Sequence, residues 1–275
     1  MAENPLKKYF RQPKIFIDLP SRGIYMRPGN LLADPVKIPV YGMTGMDEII
    51  SKTPDALLSG ESTRRVIESC IPAIKDANEI SVIDLEFLLT AIKIATYGNN
   101  MEFRHTCSKC EEASNFELEL GTIVTHYNNL KFDDKIPSKE FTIKLRPLSY
   151  REYNDFQQKN FALQRTLVQL SSVEKPDENA QDILATLEKL ADIQRETIVA
   201  QIESIETMDG FVEERAFIDE FLVNSDQSMY QKIREQIVAN RDLWTMPSVP
   251  VKCDSCGHEE KIAISMDQAN FFEKA

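Results

Sequence analysis

The chain has 275 residues, 42% hydrophobic and 28% charged, with a net charge of −12 at neutral pH, a balance that predicts one or two globular domains with a real core and excludes disorder throughout. The acidity argues against nucleic-acid binding, which needs a basic face to neutralise phosphates, and the most apolar stretch, residues 87–95, is broken by Lys93 and too short to span a bilayer. No apolar run follows Met1, so no signal peptide is expected, and five cysteines in a cytosolic chain favour metal over disulfides.

Residues 1–14 are polar and basic, with Pro5 and Pro13, and are expected to form an extended N-terminal arm. An apolar run from Ile15 ends at Pro20 and Gly23, residues suited to a turn. No Gly-x-Gly or Gly-Lys-Ser/Thr element accompanies it, so the turn reads as structural and not as a phosphate cradle. Alternation over 36–41 predicts a strand, at a sheet edge because Pro39 has no N–H to give to a ladder. Thr44 with an acid three residues later, Asp47, opens a helical block predicted over 47–51, 62–71 and 82–97. In the last of these Ile83, Phe87, Ala91 and Ile94 recur at helical spacing until Gly98 ends it. Cys70 lies among apolar residues with no cationic cluster beside it, and reads as a small buried hydrophobe.

Cys107-x-x-Cys110 and Cys253-x-x-Cys256 each lie between short alternating stretches, which predicts strand, knuckle, strand at both places. Thiolates two residues apart on a tight hairpin tip aim at one ion, and two such knuckles supply the four ligands of a closed tetrahedral site. Cys107, Cys110, Cys253 and Cys256 are therefore the predicted ligands of one structural Zn2+. Two unrelated surface turns, a redox disulfide and an iron–sulfur centre are the other readings of the pattern. The pairs are 142 residues apart, far more than a compact zinc ribbon requires. Gly257 follows the second pair, where it accepts a left-handed turn easily, whereas Glu111 takes that place in the first.

The second half repeats part of this order. A strand at 141–145 precedes a capping box, Ser149 with Glu152, and Ile67-Glu68-Ser69-Cys70 is matched by Ile202-Glu203-Ser204-Ile205. The predicted fold is α+β, mainly α-helical with short strands: two diverged halves, 15–135 and an enlarged 136–275, each ending in a zinc knuckle and joined by a split zinc ribbon. Leu184, Leu187, Ala191, Gln194, Ile198, Gln201 and Ile205 step by threes and fours as in a coiled-coil seam, packing against residues 150–170 in a hairpin or against another chain. Phe217, Ile218, Phe221 and Leu222 share one face of a helix predicted over 211–222. Ser225 is placed to cap the next, which carries Met229, Ile233 and Ile237. Phe271 and Phe272 near the C-terminus either tuck onto the ribbon or offer a plug to another protein.

Catalytic machinery is not legible. His105 and His258 flank the cysteines and could replace one of them, but no His-Glu-x-x-His or His-x-Glu element, glycine-rich phosphate loop or Gly-x-Ser-x-Gly elbow is present. With three histidines in the chain, the expectation is no enzyme. The alternative is a zinc-ribbon metalloprotein with nucleic-acid-binding or hydrolytic activity.

Leu19-Pro20-Ser21-Arg22-Gly23, Tyr97-Gly98 running into the first cysteine pair, Leu145-Arg146-Pro147-Leu148-Ser149, Met208-Asp209-Gly210 with Phe217-Ile218, and Cys253-x-x-Cys256-Gly257 followed by Phe271-Phe272 make an ordered set. That set resembles the baseplate hub subunit or hub assembly protein family of T-even-type contractile-tailed bacteriophages. The resemblance implies a protein needed to build the central hub of the tail baseplate, an assembly factor or minor hub component and not an enzyme. It implies other baseplate hub and tail proteins as partners, with no nucleic acid or membrane, and leaves the oligomeric state open. The implied setting is the bacterial host cytoplasm during assembly, with the virion tail baseplate as the other place.

Overall fold

A computed structural model describes residues 4–52, 60–171 and 180–263. Over them the protein is mixed α/β, with eight α-helices and small antiparallel sheets. Two compact units share the chain: residues 1–130 with 244–275, and residues 131–243. That division differs from the predicted boundary at 135/136, because both cysteine hairpins fall in the first unit and the second is an insertion between them. Phe271 and Phe272 lie outside the described residues.

In the first unit, β1 (Ile15–Ile17) pairs antiparallel with β2 (Ile38–Val40), Phe16 opposite Pro39, in a two-stranded sheet that gives the proline its edge. The predicted turn follows β1: the Arg22 N–H donates to the Leu19 carbonyl at 2.9 Å, and Arg22 and Gly23 are both left-handed, with φ of 54° and 71°. A left-handed arginine is a strained choice that needs outside support. Ser21 supplies it by donating its N–H (3.0 Å) and its hydroxyl to the carboxylate of Asp84, which is fully buried. The arm is less extended than expected, since Pro5–Tyr9 is a 3-10 turn and the Arg11 guanidinium donates at 2.6 Å to the carbonyls of both Gly42 and Ser69.

Helix α1 (Gly45–Ser51) begins at the predicted capping box, Thr44 and Asp47 exchanging side-chain and backbone bonds. After α2 (Glu61–Cys70), α3 (Val82–Tyr97) forms the centre of the unit. Phe87, Leu88, Ala91 and Ile92 are all fully buried, as expected of a helix that is apolar nearly all round. The helix stops at Gly98, φ 99°. Cys70 is fully buried, and burial pushes its thiol up to about 12, so it behaves as the inert hydrophobe predicted. The chain continues through the hairpin β3 (Asn100–Thr106) and β4 (Ala113–Glu119) into α4 (Leu120–Asn128), where Tyr127 meets Phe87 edge-on and donates its hydroxyl to Glu86 at 2.6 Å.

The second unit is built on a four-stranded antiparallel sheet of order β5 (Lys135–Pro137), β6 (Phe141–Leu145), β7 (Ile202–Thr207) and β8 (Gly210–Val212). Neighbours β6 and β7, with Ile143 opposite Ile205, are connected by a helical hairpin of α5 (Tyr150–Ser171) and α6 (Ala180–Gln201). Ile143, Leu145, Ile202 and Ile205 pack against Ile218 and Leu222 of α7 (Arg215–Asn224) and Ile233 of α8 (Gln227–Leu243). The box before α5 forms as predicted, with the Ser149 N–H on the Glu152 carboxylate at 2.9 Å and the Glu152 N–H on the Ser149 hydroxyl at 3.2 Å. Arg146 grips the same carboxylate. Ser149→Ala should lower the stability of this unit by about 1 kcal/mol, read as a shift in urea midpoint without a change of slope.

Several predictions for this unit fail, each for a local reason. Helix α6 ends at Gln201, four residues before Ile205, because the β-branched Ile202, Ile205 and Thr207 join the ladder with β6 and Arg215 donates to the freed carbonyls of Val199 and Ile202. Phe211 lies on β8 opposite Glu206, so the next helix starts only at Arg215. Asp226 and not Ser225 caps α8, accepting the Met229 N–H at 2.8 Å, while the Ser225 hydroxyl turns back to the Leu222 carbonyl. The repeat also loses a correspondence, since Ile67–Cys70 is helical in α2 whereas Ile202–Ile205 is strand.

The predicted hairpin exists, but on a face of α6 about 100° round from the predicted one. Leu163, Leu167 and Leu170 of α5 and Ile183, Leu190 and Ile193 of α6 are half-buried along its seam, whereas Leu184 and Leu187 stand 58% and 47% exposed. Ile198 leaves the seam altogether for the sheet core.

Candidate metal centre

The two cysteine pairs sit on hairpins that match feature by feature. Hairpin β3–β4 closes at Thr106 opposite Ala113. The second, β9 (Val249–Lys252) with β10 (Glu259–Ile262), closes at Lys252 opposite Glu259. At the first tip the Cys107 N–H donates to the Glu112 carbonyl and the Cys107 carbonyl accepts the Glu111 N–H, both at 3.0 Å. At the second the Cys253 N–H donates to the His258 carbonyl and the Cys253 carbonyl accepts the Gly257 N–H, both at 2.9 Å. Glu111 and Gly257 are both left-handed, φ 59° and 70°. The tip geometry thus forces Glu111 into the conformation that glycine adopts freely.

These turns bring all four sulfurs within 4.8 Å of one another, and the four form the one such group of potential metal ligands among the described residues. Cys107 and Cys256 are 3.7 Å apart and Cys110 and Cys253 3.6 Å, and both contacts join one hairpin to the other. A disulfide would need sulfurs about 2 Å apart. Cys107 and Cys253 are buried while Cys110 and Cys256 are exposed, so each pair presents one inner and one outer thiol. Backbone N–H groups face the sulfurs: the Lys109 N–H reaches Cys107 Sγ at 3.4 Å, and the amides of Cys256 and Ser255 hold the Cys253 thiol down to about 7.

Neither histidine enters the group. His258 contributes only its carbonyl, and His105 Nε2 lies 3.2 Å from a carboxylate oxygen of Glu260. That oxygen accepts the Ser108 N–H at 3.3 Å, so Glu260 on the second hairpin staples itself to the first beside the sulfurs. Burial works to raise the Glu260 carboxyl, but the Ser108 and His105 contacts outweigh it and hold the group below the ordinary carboxylate range. Nothing in the sequence marked Glu260, one acid among many on a charged strand. What the arrangement can do chemically is bind one ion through four thiolates and fasten two hairpins, each too small to be stable alone.

Against known families, the chain matches the model described as T4 bacteriophage base plate protein over residues 42–273. No curated protein and no solved structure matches it.

Proposed function

We propose a role from one premise: the chain belongs to the T4 bacteriophage base plate protein family. Within that family its role is to help build the central hub of the baseplate, as an assembly factor or minor hub component that holds other tail proteins and catalyses nothing. It works in the host cytoplasm during assembly, and the virion tail is the place where a retained copy would lie. No described helix is long and apolar enough to cross a membrane.

In this reading Cys107, Cys110, Cys253 and Cys256 hold one structural Zn2+ as a split zinc ribbon. A tetrahedral ion with Zn–S bonds of about 2.3 Å sets its sulfurs about 3.8 Å apart, and the two pairs that bridge the hairpins stand at 3.7 and 3.6 Å. An iron–sulfur cluster spreads its thiolates over separate irons and suits a wider set of sulfurs. Four thiolates would saturate the ion, leaving no position for a reactive water, and this supports a non-enzymatic part.

The observation that carries the proposal is family membership across most of the chain. Co-expression with the hub proteins of a T4-type phage, followed by affinity capture, is the direct test. A stable complex with a hub protein is the expected result. Capture of none of them, with the protein folded and metal-loaded, sinks the hub role while leaving the family and the metal site untouched. Metal-dependent hydrolysis or nucleic-acid retention by the same preparation would favour the metalloenzyme or binding reading instead.

A further inference from the structure

Charge is divided unevenly along this chain. Residues 1–41 hold seven lysines and arginines against three acids, a net +4, whereas residues 42–275 hold 25 against 41, a net −16. The basic stretch is also where large apolar side chains stand in water: seven of the nineteen that do so among the described residues fall in it, well above its share of the chain, with Tyr9, Phe10 and Phe16 exposed at 73%, 55% and 58%. Strands β1 and β2 turn Ile17, Ile38 and Val40 inward, and alternation leaves Phe16 and Pro39, which face each other in the ladder, on the opposite side. The Lys14 N–H donates to the Val40 carbonyl at 2.9 Å, which carries the ladder one residue further and puts Lys14 on that outer side with Phe16. Lys37 joins them, its Nζ 5.9 Å from the Phe16 ring centroid. Arg11 lies 5.7 Å from the Tyr41 centroid and, through its bonds to Gly42 and Ser69, anchors the arm at the residue that follows Phe10. Lys8 Nζ stands 4.9 Å from the Tyr9 centroid. Arg22 and Arg27 are occupied by Asp18 and Glu79, at 3.6 and 3.9 Å, but Lys8, Lys14 and Lys37 form no ion pair among the described residues. Exposed aromatic rings with uncompensated cations beside them mark an interaction surface.

We infer that the outer side of β1 and β2, with the arm anchored beside it, docks an acidic segment of a different protein, whose carboxylates meet Lys8, Lys14 and Lys37 while its apolar side chains cover Phe16 and Phe10. Charge complementarity picks this occupant. A nucleic acid or an anionic membrane has the same sign, but each is an extended polyanion and meets the charge of the whole chain, −12, which repels it. A short acidic segment is spared that repulsion, because salt screens exposed charges beyond about 8 Å and leaves it the local lysines. A second copy would have to meet the basic side with a different, acidic part of itself. Such a head-to-tail contact does not close on two chains and runs on into rings or filaments.

The hub role is not a premise of this inference, and the full metal-loaded chain tests it with a defined probe: a dye-labelled synthetic peptide carrying leucine and phenylalanine among glutamates, followed by fluorescence anisotropy. The peptide should bind saturably, and its counterpart with glutamine in place of every glutamate should bind at least about tenfold more weakly. Lys14→Glu with Lys37→Glu should weaken the acidic peptide about tenfold or more, whereas Lys14→Arg with Lys37→Arg should hold it within about twofold. Phe16→Ser, a change at an exposed residue, should cost about fivefold or more with an unchanged circular dichroism spectrum. No binding of the acidic peptide, or binding indifferent to the charge reversals, overturns the inference. So does tighter binding of oligothymidylate, or of vesicles of phosphatidylcholine with phosphatidylserine, that the same reversals abolish, which would assign the surface to nucleic acid or to membrane. Self-association in sedimentation equilibrium that the reversals abolish also overturns it, and would make the occupant a second copy.

Discussion

Cys253→Ser should reduce bound zinc from one ion per chain to nearly none and loosen both cysteine hairpins together, though they are far apart in sequence. The physical ground is the small amount of other material holding these hairpins. Each is a two-stranded antiparallel ribbon, an arrangement marginal in water without further support. The Phe103–Phe116 stack, with centroids 5.7 Å apart, is worth about 1 kcal/mol, and the Glu260 contacts to Ser108 and His105 lie at the surface where water competes with them. A structural zinc in small tetrathiolate or mixed sites contributes on the order of 10 kcal/mol of apparent binding energy at neutral pH, which is folding energy when the site forms only on folding. The metal should therefore dominate locally. Hydrogen exchange is the suitable measurement: amides of β3, β4, β9 and β10 should lose protection in Cys253→Ser, or in the parent treated with a strong chelator, while β6 and β7 in the other unit keep theirs. Cys70→Ser serves as the control, since Cys70 lies outside the sulfur group and should leave metal content unchanged. A metal-free parent with full protection of all four strands would remove zinc from the account of this fold.

What could be read from the chain divides along the reach of each signal. Capping boxes at Thr44 and Ser149, the turn at Leu19–Gly23, the stop at Gly98 and the knuckle spacings are contained in a few residues, and all of them appear in the structure. The meeting of two cysteine pairs across 142 residues was also legible, because four thiolates demand a common partner. Register and phase were not. On α6, Ile183, Leu190 and Ile193 compete with Leu184, Leu187 and Ala191 as an apolar row, and only the partner helix decides which faces inward. The helix-to-strand change at Ile202 depends on a ladder with β6, nearly sixty residues earlier, and on an arginine from α7. The identical string Ile-Glu-Ser at 67–69 and 202–204 is helix in one place and strand in the other, so that short match carries no correspondence between the halves.

Raising the pH from about 5 to about 8 should weaken the first unit, and Asp84→Asn should abolish most of that weakening. Asp84 sits in the first turn of α3, fully buried, and its carboxylate accepts two hydrogen bonds from Ser21. Burial pushes its pKa up from 3.8 to about 7, and the two bonds from Ser21 oppose that rise without cancelling it. The folded protein consequently binds this proton more tightly than the unfolded chain does. Its stabilising contribution is complete below about pH 4, is lost as pH rises through about 7, and amounts to at most about 4 kcal/mol. Asparagine keeps one acceptor for the Ser21 N–H but never ionises. It should cost about 1 kcal/mol at the acid end, where one good hydrogen bond is exchanged for a poorer one, and should be the more stable form at the alkaline end. Trp244, the single tryptophan, is buried in this unit against Tyr127, so its fluorescence in urea titrations reports the right melting event. The decisive feature is the crossing of the two stability curves. Parallel curves would mean that Asp84 stays ionised in its buried setting, and that the strained Arg22-Gly23 turn is pinned by a permanent charge and not by a proton-dependent one.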